Sequence, residues 1–496
     1  MIEGVGRLPL AGLDRQQQQP QLPYHPAGFA NSLPDGLIHL QPVPDAEYEP
    51  TVTDRTVWGV HMQHHIAFIK KGVSTPSVGS PHGGRSQSRR SFSDEKTNMT
   101  RIPSLPEFPF VESGALDTDT LGVEMLDRAP VARARTRDGT EIWVALSNDV
   151  ARQVVTDPRF SRRAAVDPDG RQIGNAVPDL LISMDGEEHA HVRRLFAKAF
   201  TPRMVERMRP WIADLVGELL DAMERKGPPL DLVEYVTAPL PVTVICQLLG
   251  VPYDDRDQFM EWTDRMLGDT GFTREEIAEG IGNLQRYMQQ LVERKRREPG
   301  DDLTTELIGV SEQGDRLTED QLVKNLFLML GAGHDTTLKQ LSNSLLLLLT
   351  RREEYVRLVG CPELIPNAVE ELLRFLLLSP SGLPVRVAVE DVDLGGQTIR
   401  AGETVAVLHH VANRDPGLYT CPNDLDLGRS DAVKHMSFGA GPHFCLGAPL
   451  ARLELQTALL QLTQRVPTLR LAVPPAEVEW KEGGLQRGPR ILPVEW

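Results

Sequence analysis

The stretch from Thr318 to Thr350 constrains the chain more than any other. Thr318-Glu-Asp-Gln321 is a capping box, the pattern in which a hydroxyl and an amide side chain reciprocally satisfy the backbone at a helix N-terminus. An apolar run at helical spacing follows, through the leucines Leu345–Leu349, and stops at Thr350. A helix of that length and character needs protein on most sides. Spanning a bilayer takes roughly 18 consecutive apolar residues, and no stretch of the chain reaches that length.

Other helical patterns point to the same class. They cover Val192–Met208 with a break expected near Pro202, then Trp211–Met223, Pro241–Leu249, Ile277–Lys295 and about Ile365–Leu378, and a last helix from Gly447 to near Arg465. Strand-like alternation is confined to Val131–Val144, where Asp138-Gly139 marks a hairpin, and to Val385–Val407, with turns at Gly395-Gly396 and Ala401-Gly402. Between Ala412 and Ser430, Pro, Asn, Asp and Gly crowd into a meander. The expected class is mainly α with a small β region, and there is no internal repeat.

The folded domain is expected over residues 99–496 of the 496 in the chain. Residues 1–98 hold a Gln tract, scattered prolines and a Ser/Arg/Gly stretch, with neither helical nor strand period. They bury too little apolar surface to offset chain entropy, and a disordered N-terminal extension is expected. His61, His64 and His65 lack acidic or Cys partners for a metal site, and Lys70, Lys71, Arg85, Arg89 and Arg90 read as a solvated basic tail. The 53 Lys+Arg against 69 Asp+Glu leave a net charge of −16, which argues against a general nucleic-acid binder. Four cysteines exclude a disulfide scaffold. The first thirty or so residues carry no basic-then-apolar signal pattern, so a cytoplasmic location is expected.

Four fragments carry chemistry. Cys246 sits in an apolar helix, and Cys361 and Cys421 lie beside prolines in connecting segments; all three read as structural. Cys445 differs, because it lies in Phe438-Gly-Ala-Gly-Pro-His-Phe-Cys-Leu-Gly447, a glycine-rich loop that feeds directly into a helix. Unpaired N–H groups and the helix dipole favour a thiolate there, and glycines let a flat ligand approach the backbone. An axial Cys ligand to haem iron is one reading; a buried loop cysteine is the other. Inside the long helix, Leu330-Gly-Ala-Gly-His-Asp-Thr-Thr337 places two glycines where each costs about 1 kcal/mol relative to Ala. Either the helix ends there, or it opens locally over a cofactor with Asp335 and Thr336 placed to relay protons. Glu371 and Arg374 stand at i,i+3 and can meet on a helix, at small gain if exposed. His189 and Arg193 lie one turn apart; together they suit a carboxylate or phosphate, or simply a solvated basic face.

Together and in this order, the fragments closely resemble the cytochrome P450 family over about residues 99–496. Phe438-Gly439-x-Gly-x-His443-x-Cys445-x-Gly447 resembles its haem loop, Ala332-Gly333-x-Asp335-Thr336-Thr337 its oxygen-activation motif, Glu371-x-x-Arg374 its structural ExxR pair, and His189-x-x-x-Arg193 the bacterial haem-propionate helix. Arg386, Ala412-Asn-Arg-Asp-Pro416 and Arg487-Gly-Pro agree as well.

The resemblance implies a triangular prism of helices around a buried haem b, in a bacterial, actinomycete-type monooxygenase that uses O2 as co-substrate. It implies Cys445 as the thiolate ligand, His189, Arg193, Arg386 and His443 on the propionates, and Ala332, Phe438, Gly439 and Gly447 against the cofactor. Asp335 and Thr336 would deliver protons, and Glu371 and Arg374 would tie the meander to the haem-loop scaffold. Leu330, Gly331, Leu383, Pro384 and Val385 would line the pocket for an apolar small-molecule substrate, beneath a lid at Ala164–Ser183. No flavin or NAD fingerprint appears in the sequence, so electrons are expected from a separate ferredoxin and ferredoxin reductase, docking near Arg194 and Lys198. A monomer without membrane anchor is expected, beginning ordinarily near Met99. The competing expectations are a haem-thiolate enzyme that does not insert oxygen from O2, and a catalytically inactive protein of the same fold that recruits a partner.

Overall fold

The computed structural model describes residues 105–110, 119–166, 179–255, 272–312, 317–481 and 486–496, with a few isolated positions between them. Every described residue belongs to one unit, Val52–Trp496. The expected N-terminal extension and the His61, His64 and His65 group lie outside the described residues, as does most of the expected lid.

Twelve α-helices among the described residues carry most of the structure. In chain order they are α1 (Thr120–Leu126), α2 (Asn148–Thr156), α3 (Gly186–Ala197), α4 (Pro202–Lys226), α5 (Pro239–Leu249), α6 (Arg274–Arg297), α7 (Leu303–Glu312), α8 (Glu319–Thr350), α9 (Arg352–Gly360), α10 (Ile365–Phe375), α11 (His409–Ala412) and α12 (Ala448–Arg465). The short strands are β1 (Glu107–Phe108), β2 (Val131–Thr136), β3 (Glu141–Ala145), β4 (Phe160–Ser161), β5 (Leu230–Asp231), β6 (Leu383–Ala388), β7 (Val392–Leu394), β8 (Gln397–Ile399), β9 (Thr404–Val407), β10 (Arg470–Leu471) and β11 (Pro493–Glu495). A six-stranded sheet runs β1-β2-β3-β9-β6-β4, a second β10-β11-β5, and β7-β8 form a hairpin. The class is mainly α, as the hydrophobic periods imply.

Helix α8 is the spine. Both halves of its capping box form: the Gln321 N–H donates to Thr318 Oγ1 at 3.1 Å, and the Thr318 N–H to Gln321 Oε1 at 3.1 Å. Its leucines bury into the main core with α5, α6, α10 and α12. The Asp138-Gly139 hairpin joins β2 to β3, with Gly139 at φ +92° as a tight turn requires. The break near Pro202 is real: α3 ends at Ala197, a single 3₁₀ turn follows, and the Thr201 hydroxyl caps α4. One expectation changes here. The separate helix at Trp211–Met223 is the body of α4, which runs through Pro210 without ending. Its apolar side, Val205, Ile212, Val216, Leu220 and Met223, is buried, and packing outweighs the local cost of the proline. Likewise, α10 stops at Phe375 rather than near Leu378.

Glu371 and Arg374 have fully buried side chains, not the exposed placing in which such a pair is worth little. All five guanidinium donors of Arg374 find acceptors. Nε and Nη2 reach the two Glu371 oxygens at 2.6 and 2.8 Å. Nη1 reaches the carbonyls of Asn413 and Pro422 at 2.9 and 2.8 Å, and Nη2 also that of Asp424 at 3.1 Å. Glu371 Oε1 accepts further from the Asp426 N–H at 2.9 Å and Arg429 Nε at 3.2 Å. Asn413 extends the network by donating to Ser437 Oγ at 3.0 Å and accepting from the Met436 N–H at 2.7 Å. Helix α10, the meander and the start of the cysteine loop are thus one hydrogen-bonded unit. Removing one member of a buried pair strands the other charge, which costs about 3–5 kcal/mol. Arg374→Met is therefore expected to lose stability on that scale in chemical denaturation, whereas Arg133→Met, which breaks a half-exposed pair with Glu403, is expected to lose no more than about 1 kcal/mol.

Candidate active site

The cysteine loop takes its shape from two glycines. Gly439 and Gly441 sit at φ +69° and +66°, in the left-handed region. A 3₁₀ turn at Gly441–His443 leads to Cys445, whose N–H donates back to the Phe438 carbonyl at 2.9 Å. Helix α12 then starts at Ala448, and the backbone N–H groups of Gly447 and Ala448 point at the thiol. Cys445 keeps accessible surface, yet burial is the largest influence on its thiol. The two coexist where an atom lines a recess inside the protein. Burial raises the thiol above its ordinary value; the two N–H groups and the cations of Arg193 and Arg452 oppose it without cancelling it. The helix N-terminus favours the thiolate in the expected direction, but in the protein alone desolvation outweighs it.

Cationic side chains gather next to this loop. Arg193, on α3, donates to the Phe444 carbonyl. The rings of His189 and His443 stack with centroids 4.0 Å apart. His189 is pushed down to about 4 by burial, then by His443 and Arg193. Arg386 is buried and lowered to about 10, chiefly by burial. A register shift between Leu383 and Arg386 in the β6–β9 pairing sets the local course of that strand. His443 is lowered by burial, against which Asp185 raises it; its Nε2 stands 3.7 Å from Asp185 Oδ1. Burial alone would raise the Asp185 carboxyl. The nearby His443 imidazole and hydrogen bonds from Ser161 and the Arg163 backbone outweigh it and hold the acid below the usual range.

On α8 the glycines neither end nor open the helix, which is continuous from Glu319 to Thr350. That corrects both readings of Gly331 and Gly333. A Cβ on Gly333 would lie 3.0 Å from Ile245 Cδ1, so this glycine lets α5 approach closely. Ala332 is exposed in the middle of a mostly buried helix, and the Thr336 hydroxyl donates to its carbonyl at 2.6 Å. Leu330 has no accessible surface and belongs to the core, so it does not line the pocket as expected. Gly331, Leu383 and Pro384 are partly accessible, and Val385 is buried. Asp335 is also buried, paired with Lys339 at 2.8 Å.

Sequence reasoning missed four side chains here. Arg162, among the most buried in the protein, donates to the Ile182 carbonyl at 2.9 Å and to that of Val385, and is lowered to about 9 by burial and then by Arg386. Asp185 is the carboxylate among the cations. Arg452 grips Glu370 with bonds of 2.6 and 2.8 Å and lies 4.6 Å over the Phe438 ring. Only Lys339 had a legible signal, a cation four residues after Asp335 on an apolar helix. A groove of about 500 Å³ beside Trp262 and Tyr287 shares no residue with this site.

Comparison with known proteins agrees with the fold and the motifs. The family described as Cytochrome P450 matches residues 137–359 and 363–481. The chain belongs to the cytochrome P450 family, and within it to the monooxygenases. It is 42% identical to the Nocardicin C N-oxygenase of Nocardia uniformis subsp. tsuyamanensis, over 80% of this chain and 100% of the relative. It is 42% identical to the Mycinamicin IV hydroxylase/epoxidase of Micromonospora griseorubida, over 78% of this chain and 98% of the relative. Among solved structures, the mixed-function P450 MycG aligns with a TM-score of 0.75 at 41% identity, covering 79% of this chain and 100% of that one. The LnmA P450 hydroxylase of the leinamycin pathway of Streptomyces atroolivaceus S-140 aligns at 0.74 and 42% identity, with the same coverage.

The family implies a haem-thiolate centre that uses O2, and the residues present fit one. Buried cations outnumber the carboxylates beside them, as two propionates would require. His189 Nε2 and Arg162 Nη2 are buried with no hydrogen-bond partner among the described residues. Gly441 bears on the loop's stability. A Cβ there would come within 2.7 Å of Thr156 Cγ2 and 3.2 Å of the Val155 carbonyl, whereas one on Gly439 has nothing nearer than 3.8 Å. Both alanine variants meet the left-handed penalty of about 1–2 kcal/mol. In side-by-side chemical denaturation Gly441→Ala is expected to lose clearly more than Gly439→Ala.

Proposed function

We propose that this protein inserts one oxygen atom from O2 into an apolar intermediate of secondary metabolism, using two electrons from a ferredoxin system and Cys445 as the haem ligand. The observation that carries the reading is the cluster of buried cationic and imidazole groups around the cysteine loop, with Asp185 as its carboxylate. When bound, the haem supplies O2 activation, for the overall reaction R–H + O2 + 2e− + 2H+ → R–OH + H2O.

The chain's own residues do the rest. Cys445 would hold the iron as its thiolate, and the N–H groups of Gly447 and Ala448, with Arg193 and Arg452 nearby, favour the sulfur charge. His189, Arg193, Arg386 and His443 bind the propionates by charge-assisted hydrogen bonds. Ala332, Phe438, Gly439 and Gly447 would bound the cofactor. Thr336 holds its hydroxyl proton on the Ala332 carbonyl beside the accessible wall of α8, and Asp335 adjoins it as the acid. Gly331, Leu383 and Pro384 offer mostly apolar surface, which keeps water from the reacting centre. Relatives named as an N-oxygenase and as a hydroxylase/epoxidase support oxygen insertion into a small natural product. Glu371 and Arg374 act at a distance, by fixing the loop.

Two measurements test this. Reduced protein with carbon monoxide is expected to show the red-shifted Soret band of thiolate ligation, and Cys445→Ser to lose it; a band unchanged in the variant overturns the assignment of Cys445. Arg194 and Lys198 are exposed on the side of α3 and the turn after it. Reversing both charges is expected to slow ferredoxin-driven reduction several-fold at low salt and little at high salt. Equal rates at low salt would remove this docking face.

A further inference from the structure

Lys339 is one of the largest fully buried side chains in the protein, and it sits in the middle of α8. Its ammonium lies 2.8 Å from Asp335 Oδ2, with the two side chains 2% and 5% exposed. The C-terminal segment closes over its stem: a Cβ on Gly488 would come within 2.8 Å of Lys339 Cγ. In sequence, His334 precedes Asp335 on α8, and Arg487, whose guanidinium lies 5.4 Å over the Trp480 ring, precedes Gly488.

A buried ion pair is often no more stabilising than apolar residues of similar volume. Stability alone therefore does not account for a lysine at this point of an apolar helix. The pair fixes the acid within the helix packing, one residue from the partly accessible Thr336. We propose that Lys339 is a positioning residue for oxygen activation: its ammonium, hydrogen-bonded to Asp335 Oδ2, holds the Asp335 carboxyl group in place, so that Asp335 can pass protons towards Thr336. The proposal rests on the monooxygenase reading above. It adds that the acid works only as half of an ion pair, with the cation supplied by its own helix.

The test needs no knowledge of the natural substrate. The holoenzyme, driven by a plant-type ferredoxin and its NADPH-dependent reductase, reduces O2 to hydrogen peroxide (NADPH + H+ + O2 → NADP+ + H2O2) or to water (2 NADPH + 2 H+ + O2 → 2 NADP+ + 2 H2O). Lys339→Met is expected to slow NADPH oxidation at least fivefold and to change its solvent deuterium isotope effect, and Asp335→Asn to do the same. The double variant is expected to match either single variant within twofold, because both changes disable one unit. Lys339→Arg is expected to stay within twofold of the parent. Imidazole binding to the haem is expected to be unchanged in all four. Melting temperature separates folding from chemistry: the double variant, with no stranded charge, is expected to melt above Lys339→Met while remaining as slow. A parental rate and isotope effect in Lys339→Met overturn the proposal, as do losses that multiply in the double variant. Failure of the parent itself to show the thiolate carbon monoxide band would instead overturn the monooxygenase reading, independently of Lys339.

Discussion

The five-donor environment of Arg374 is the constraint on which the site depends. A guanidinium has a rigid fork of N–H groups, and burying it without partners for each is prohibitive. Here two donors are taken by Glu371 and three by carbonyls of the segment Asn413–Asp424. Those carbonyls belong to a stretch with almost no regular structure. Its course is fixed because the cation on α10 requires acceptors at set directions. Asn413, held in that stretch, in turn fixes Met436 and Ser437, just ahead of Phe438. The position of Cys445 is therefore set from behind by directional bonds, and from ahead by helix α12.

The site itself is electrostatically incomplete as a protein. Arg162, Arg193, Arg386 and two histidines lie within one another's fields, and each affected guanidinium or imidazole is shifted towards its neutral form, first by burial. A chain would gain by replacing such a cluster with apolar residues unless anions offset it. Asp185 offsets part. The rest matches the two carboxylates that a porphyrin of this family carries, which is why the cluster reads as a binding site and not as a structural network.

Much of this was legible in the residues. The capping box at Thr318, the Asp138-Gly139 hairpin and the loop-to-helix junction at Gly447 are local signals whose physics involves only nearby residues. The unreadable parts share another property: they depend on which side chains meet across long sequence separations. Arg162 reaches Val385 across 223 residues, and nothing at either position marks the pairing. Gly333 looks like a helix breaker until Ile245 is packed against it. The thiol of Cys445 looks acidic from its helix N-terminus, until the burial supplied by the rest of the fold outweighs the two N–H groups. Pro210 reads as a boundary until tertiary packing carries α4 through it.

Helix α8 shows the same division within one element. Its leucines give a period that any reading of the sequence finds, but hydrophobic packing is non-directional and leaves neighbours free to slide. The polar side chains set the register. Asn325 accepts from the Leu181 N–H at 2.8 Å, at the end of the expected lid. Ser342 meets Thr237 at 2.7 Å, ahead of α5. Gln340 reaches the Leu372 carbonyl on α10 at 3.4 Å, and Asn343 the Arg487 carbonyl of the C-terminal segment at 2.9 Å. Each latch ties a segment bordering the site to the helix that carries Ala332 and Thr336. A single apolar spine with polar latches thus does two things that packing alone could not: it holds the wall of the site in one register, and it places the Asp335–Lys339 pair under a fixed roof.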